Sequence, residues 1–280
     1  MTASGSAKPL AGRTMLMSGG SRGIGLAIAL RAARDGANVA ILAKTAEPHP
    51  RLEGTIHTAA AEIDAAGGRA LAIVGDVRHE ESIEAAVAAT VEKFGGIDIV
   101  VNNASAIDLS PSTDLPAKKF DLMQQIEVRG TFLLTRSAIP HLRASEHAHI
   151  LTLSPPLNMS KRWLGACVGY MLAKYGMTLA ALGFAAELEA DGIASNTLWP
   201  RTIIATAAVQ NLLGGDAAMA RARTPDVMGD AAHAILARPP MQRTGQQLID
   251  DEVLAEIGVR DLSRYQHGDG SELQPDIFLD

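Results

Sequence analysis

The sequence predicts an α/β fold, a doubly wound parallel sheet flanked by helices on both faces in the Rossmann-type arrangement. Three observations predict it. Short apolar segments alternate with longer segments of helical composition along most of the chain. The short segments are near-continuous apolar runs, as in Ile97-Asp98-Ile99-Val100-Val101, which suits strands covered by helices on both sides. The first of them runs into Ser18-Gly19-Gly20-Ser21-Arg22-Gly23-Ile24-Gly25, a glycine-rich turn that opens a helix.

Taken in order, Thr14 to Ser18 forms the first strand, and a helix rich in Ala, Ile and Leu runs from Gly23 to Asp35, where Gly36 can end it. Ala37 to Ala43 is the second strand. Then come a strand at Arg69 to Gly75, a helix at Glu80 to Phe94 and a strand at Asp98 to Asn102. A long helical region ends near Arg143, ahead of a strand at His149 to Ser154. Thr45 to Gly54 and Pro155 to Gly165, each with two prolines, read as irregular. Thr202 to Pro225, with Gly214-Gly215, reads as a mobile segment able to cover a substrate. No repeat, low-complexity tract or linker divides the chain. Residues 1–12 are expected as a flexible N-terminal tail, and residues 13–280 as a single dinucleotide-binding catalytic domain.

The 280 residues are 47% apolar and 20% charged, a composition far from that of disordered chains. A net charge of −6 argues against nucleic-acid binding, which needs a basic face, and points to small-molecule partners. One cysteine, Cys167, cannot form an intrachain disulfide and fits a reducing compartment. The first twelve residues carry neither a leader pattern nor a long apolar span, so a cytoplasmic protein without a membrane anchor is expected.

Two motifs carry chemistry. In the glycine-rich turn the backbone can approach a pyrophosphate, and the following helix offers unpaired N–H groups to its charge; Gly19, Ser21, Arg22, Gly23, Ile24 and Gly25 are the candidate contacts. In such folds the residue ending the second strand meets the adenosine ribose, where a carboxylate suits a free 2′-hydroxyl and a cation a 2′-phosphate. Here Ala43-Lys44 stands at that point, with no acid, and Arg22 adds a second cation. NADP(H) is therefore preferred over NAD(H), which stays possible; the other reading of Lys44 is a solvated surface lysine.

The second motif is Tyr170 and Lys174, four apart on one helix face. A free tyrosine titrates about three units above neutrality, and a neighbouring ammonium favours its phenolate. Together the motifs point to a nicotinamide-dependent oxidoreductase. Among other residues, Cys167 reads as packing, and His147 and His149 read as surface residues lacking a third metal ligand. Trp163 and Trp199-Pro200 are placed to line an apolar pocket, or Trp199 to pack the core. Arg201 is a candidate contact for cofactor phosphate or an acidic substrate.

The chain resembles the short-chain dehydrogenase/reductase family. Gly19, Gly23 and Gly25 match its glycine pattern, Asp76-Val77 its adenine-contacting pair, and Asn102-Asn103-Ala104 its Asn-Asn-Ala-Gly segment, with Ser105 replacing the glycine. Three segments, Ala43 to Pro50, Ser154 to Asn158 and Leu273-Gln274-Pro275-Asp276, resemble a subgroup whose members carry an added sterol-carrier domain; no such domain is expected within residues 13–280. The resemblance implies Tyr170 as general acid and base, Lys174 as the residue that lowers its pKa and holds the nicotinamide ribose, and Ser154 as the hydroxyl polarising the substrate. The usual alignment puts Pro155 at that serine, so Ser154 is shifted by one residue and Asn158 is an alternative donor. Asn103, Ala104, Pro200 and Thr202 join the implied cofactor contacts.

Phe120 to Phe132 matches the family's central helix except that Glu127 stands where a relay asparagine belongs. Glu127 is expected either to pair with Lys174 and alter proton relay or to turn into solvent. The resemblance implies an apolar carbonyl or alcohol substrate, fatty-acyl or steroid-like. It also implies a homotetramer or homodimer built on the helices around residues 117–143 and 168–190. A nucleotide-binding protein with little catalysis, and another reaction such as epimerisation or dehydration, are the competing readings.

Overall fold

The strands are β1 (Thr14–Ser18), β2 (Asn38–Ala43), β3 (Arg69–Val74), β4 (Ile99–Asn102), β5 (His149–Thr152), β6 (Ala194–Trp199) and β7 (Gln247–Ile249). In a computed structural model of the chain they form one wholly parallel sheet in the order β3-β2-β1-β4-β5-β6-β7. The structure describes residues 8–48, 53–212, 214–268 and 272–280. The helices are α1 (Gly23–Ala33), α2 (Ile56–Ala65), α3 (Glu80–Phe94), α4 (Ala117–Gln124), α5 (Gly130–Leu142), α6 (Lys161–Ala166), α7 (Val168–Glu187), α8 (Ala207–Leu212), α9 (Gly215–Ala220), α10 (Asp226–Leu236) and α11 (Asp250–Glu256). The chain starts in the middle of the sheet, winds outward to β3, and crosses back to β4 beside β1. The crevice beyond the carboxyl ends of β1 and β4 is thus the topological switch point, where open α/β sheets bind ligands.

Successive side chains of a strand point to opposite faces, and β1 feeds both layers of the core accordingly. Met15 and Met17 join Ile28, Ile41, Val101 and Val227 on one side of the sheet. Leu16 joins Ile83, Val100, Leu134 and Ile150 on the other. A third cluster lies beyond the carboxyl edge and contains Trp163, Tyr170, Tyr175, Trp199 and Phe278.

The doubly wound sheet is as the sequence predicts, and several local expectations are corrected. The helical region before Arg143 is α4 and α5 joined by a π-helical turn, Gln125–Arg129. The supposedly irregular stretch before Tyr170 contains α6, and Thr202 to Pro225 contains α8 and α9. Of the expected tail, residues 1–7 lie outside the described residues, whereas Leu10 is fully buried and its N–H is 3.3 Å from an Asp35 carboxylate oxygen. Residues 49–52 of the proline-bearing segment after β2 also lie outside them.

His147 and His149 are not surface residues. Both are buried, their rings 4.8 Å apart, and their Nε2 atoms bond the carbonyls of Leu236 (2.7 Å) and Arg238 (3.0 Å), tying β5 to the end of α10. A carbonyl only accepts, so His149 carries its proton on Nε2, leaving a bare Nδ1 buried without a partner. Burial, with a smaller push from His147, lowers the His149 pKa to about 4. The folded chain thus resists a proton that the unfolded chain takes up near pH 6.5, so this stability is present above pH 6.5 and is lost as pH falls toward 4. Melting temperatures across that window should fall less steeply for His149→Gln than for the unmodified chain.

Candidate active site

The glycine turn between β1 and α1 is built for close approach. Gly19 and Gly23 have φ of +76° and +56°, a region that favours glycine. A Cβ at Gly20 would fall inside the Ile41 side chain, and one at Gly25 would overlap the Gly19 carbonyl. Asn103, at the end of β4, fixes the turn from across the crevice. Its Nδ2 donates to the carbonyls of Gly19 (2.7 Å) and Ser18 (3.3 Å), while the Ser18 hydroxyl accepts from the backbone N–H of Asn103 (3.1 Å) and Ala104 (3.2 Å). Ser21 and Val77 are buried, and Ile24 packs on the core. The unpaired N–H groups at the start of α1 face this cradle and suit a pyrophosphate. Thr202 is buried near the end of β6 with a hydroxyl lacking any partner, a group left for a ligand to satisfy. The residues present therefore fit a dinucleotide.

At the ribose end, Lys44 follows β2 and its Nζ lies 3.3 Å from Asp76. Asp76 is gripped more tightly by Arg78, at 2.6 Å, and these bonds with the Lys44 charge outweigh its burial and hold its carboxyl down to about 2. Two cations and one anion leave this corner with a net charge of +1. Arg78 had no signal in the sequence beyond its place after Asp76-Val77. Arg22 donates to the carbonyls of Glu53 (3.0 Å) and Gly54 (2.8 Å), so it holds the segment after β2 against the glycine turn.

The expected Tyr170 and Lys174 pair lies on α7. Tyr170 is 4% exposed and Lys174 3%. Lys174 Nζ donates to the Leu153 carbonyl at 3.1 Å and sits 6.0 Å from the Tyr170 ring centre and 5.5 Å from that of Trp199. Burial lowers the Lys174 pKa against the supporting charges of Glu127 and Asp276. The Tyr170 phenol is pushed well above the ordinary tyrosine value, first by burial and then by Glu127 and Asp276, with the nearby Ser105 hydroxyl opposing. Burial, Glu127 and Asp276 thus favour the protonated phenol, where Lys174 alone is expected to make it acidic.

Glu127 is neither solvated nor ion-paired with Lys174. It is fully buried, projecting from the π-helical turn, and its Oε1 accepts from the Ser105 hydroxyl (2.6 Å) and the Ala106 N–H (2.9 Å), while Oε2 is buried without a partner. Burial raises its pKa, and Lys174 opposes this through space.

Ser154 is fully buried, and its hydroxyl meets Thr178 Oγ1 at 2.9 Å, on the next turn of α7 beyond Lys174. The hydroxyl beside the phenol is that of Ser105. Asn158, the alternative donor, spends its Nδ2 on Asp280 (2.8 Å) and its carbonyl on the Tyr175 hydroxyl (2.7 Å). Arg201 turns to α11, pairing with Asp251 at 3.1 Å and with Glu252, so its guanidinium is already engaged by carboxylates. Cys167 is buried, which raises its thiol pKa, as befits packing. Among the described residues no cluster of His, Cys, Asp or Glu could hold a metal ion.

The final described segment, residues 272–280, completes the site, and its part was not foreseen. It crosses the mouth beyond β6 and brings Asp276 near Lys174 and Phe278 onto Tyr170. Asp276 is raised to about 7, chiefly by burial.

The short chain dehydrogenase family model matches residues 13–215. The chain belongs to the short-chain dehydrogenase/reductase family. This dehydrogenase/reductase is 54% identical over 271 residues to hydroxysteroid dehydrogenase-like protein 2 of Xenopus tropicalis and 50% identical to that of Homo sapiens. In both cases the match covers 97% of the chain and 64% of the relative, so the chain spans less than two thirds of these curated relatives' length. Among solved structures, a putative dehydrogenase from Xanthomonas campestris is 56% identical with a TM-score of 0.94, covering 97% of this chain and 99% of that one. A short chain dehydrogenase from Mycobacterium thermoresistibile is 60% identical with a TM-score of 0.92, covering 97% and 96%. Among the described residues, no helix of this dehydrogenase/reductase is long and apolar enough to cross a membrane.

Proposed function

We propose that the chain is an NADP(H)-dependent oxidoreductase acting on a carbonyl or secondary alcohol of an apolar small molecule, fatty-acyl or steroid-like, in a single catalytic domain. The observation that carries this reading is the buried Tyr170 phenol, held protonated beside the Lys174 ammonium at the same sheet edge as the glycine cradle. The dinucleotide, when bound, supplies or accepts the hydride. Tyr170 gives a proton to the carbonyl oxygen in reduction or takes one from the alcohol in oxidation. Lys174 holds the dinucleotide's ribose and supplies positive charge, and the Ser105 hydroxyl stands beside the phenol to meet the substrate oxygen. The aromatic cluster around Tyr170 favours an apolar substrate body, in keeping with the name of the curated relatives.

The test is NADPH consumption across a panel of apolar ketones, with product analysis to separate reduction from epimerisation or dehydration. Cofactor choice rests on Lys44 and the net positive corner it shares with Arg78. Lys44→Ala should weaken NADPH binding about tenfold and leave NADH within about twofold, the loss expected of one charge-assisted phosphate contact. Titrations in which the unmodified chain prefers NADH would overturn the NADP(H) assignment. The second reading, a dinucleotide-binding protein with little catalysis, draws on Ser154 being engaged by Thr178. Tight dinucleotide binding without consumption on any ketone would establish it.

A homodimer or homotetramer in the cytoplasm completes the proposal. Phe132, Leu172 and Leu179 on α5 and α7 are 47%, 46% and 59% exposed, an apolar face suited to a second copy.

A further inference from the structure

Phe278 is fully buried, yet it belongs to the last described residues of the chain. Its ring stacks on Tyr170 at 6.2 Å with 23° between planes, and it also meets Tyr175 (5.2 Å), Trp163 (5.9 Å) and Trp199 (6.3 Å). It has φ of +70° and is the only non-glycine residue with positive φ among those described, a conformation that bulky side chains rarely adopt. An apolar side chain is therefore inserted, in strained backbone, against the ring of the tyrosine that handles the proton.

The segment that carries it lies outside the sheet. It joins the fold through an isolated antiparallel bridge between Pro275 and Thr202 rather than through a sheet. Its other ties are single hydrogen bonds: Ile203 N–H to the Gln274 carbonyl (3.0 Å), Gln274 N–H to the Arg221 carbonyl (3.0 Å), Arg221 Nε to the Glu272 carbonyl (2.9 Å), Asp276 N–H to the Arg201 carbonyl (3.1 Å) and Trp199 Nε1 to the Ile277 carbonyl (3.0 Å). Asp280 accepts from Asn158 Nδ2 (2.8 Å) and Trp163 Nε1 (3.1 Å). The tryptophans thus hold the strap by their N–H groups and meet the Phe278 ring at tilted angles. The Leu273-Gln274-Pro275-Asp276 motif, unexplained by dinucleotide binding, is the stretch that turns the chain across the site.

We propose that the aromatic box of Trp163, Tyr170, Tyr175 and Trp199 is the apolar subsite of the substrate, and that Phe278 is its resident occupant, displaced by substrate and setting which substrates enter. This rests on the oxidoreductase reading above. A ketone whose oxygen meets the phenol on the Ser105 side needs room for its apolar body, and the box is the apolar space adjoining the Tyr170 ring. A three-carbon ketone has almost no apolar body to place in the box. A long alkyl chain or fused ring must take the place of Phe278 and offset the burial that the phenylalanine gives up. Lifting the strap also withdraws Asp276 from Lys174 and Tyr170, so entry of substrate changes the charge around the proton-handling pair.

Both tryptophans of the chain flank Phe278, so their emission reports on the box independently of turnover. Decan-2-one, added to the NADP⁺-saturated enzyme, should change tryptophan emission saturably. Phe278→Ala should reach half-saturation at about tenfold lower ketone and raise the kcat/KM ratio of decan-2-one over propan-2-one about tenfold, with Phe278→Leu intermediate. Emission unmoved by decan-2-one would overturn the proposal. So would folded Ala or Leu variants whose half-saturation and substrate ratio match the unmodified chain; the Leu variant keeps the test open if the Ala variant does not fold. A chain that reduces neither ketone yet shows the emission change would refute the oxidoreductase reading while leaving the subsite standing.

Discussion

Replacing Tyr170 by Phe is expected to lower turnover about 1,000-fold, within the range that one positioned proton donor contributes, and to leave dinucleotide affinity and melting temperature nearly unchanged. The substitution removes one hydroxyl and nothing else. The ring keeps its stack on Phe278, and Ser105 keeps its bond to Glu127. The loss should therefore fall on kcat and not on KM, because the phenol meets the substrate oxygen most strongly as that oxygen gains charge. Burial and the two neighbouring acids hold the phenol protonated, which suits it to give a proton to a carbonyl and makes reduction the easier direction near neutrality. Single-turnover NADPH oxidation checks the prediction. A residual rate within tenfold of the unmodified enzyme would mean that the proton comes from elsewhere, with the Ser105 hydroxyl the first candidate.

Much of the fold was legible because each strand is an apolar run and the glycine turn announces the first βαβ unit. What the sequence hid has physical causes. His147 and His149 looked exposed because imidazole is polar, yet each is buried and bonds one carbonyl at or just past the end of α10, a partner nearly ninety positions away. Ser154 looked like the substrate hydroxyl by its strand-end position, but Thr178, a turn beyond Lys174, engages it. Arg201 looked free to bind anions, but its guanidinium pairs with Asp251 and Glu252 once α11 packs, while Asp250 accepts from its backbone N–H. The strap was invisible because a single phenylalanine near the chain's end carries no periodicity. Two departures from the family pattern, Ser105 for glycine and Glu127 for asparagine, prove to be one feature: the buried carboxylate needs a donor, and the serine hydroxyl supplies it.

Glu127→Gln tests that feature, and its effects on rate and on stability carry separate signs. Above its own raised pKa, the ionised carboxyl pushes the Tyr170 pKa upward and that of Lys174 upward with it. The amide removes the charge while keeping an oxygen for Ser105 and the Ala106 N–H. Tyr170 then ionises more readily, so the pH profile of alcohol oxidation should move to lower pH, with a gain of about fivefold at pH 7. Ketone reduction, which uses the protonated phenol, should lose rate on the alkaline side instead. For stability, burial raises the Glu127 pKa above the ordinary 4.5, so the folded chain keeps a proton that the unfolded chain has released. The unmodified chain accordingly loses stability as pH rises from about 4.5 through the folded-state value. The variant, having no proton to lose there, should show a flatter profile of melting temperature against pH. Glu127→Asn, which restores the family's residue, shortens the side chain by one methylene and should release Ser105 as well. Superimposable rate and melting profiles for the unmodified chain and Glu127→Gln would show that the carboxyl is uncharged throughout the working range and that the phenol is set by burial and Asp276 alone.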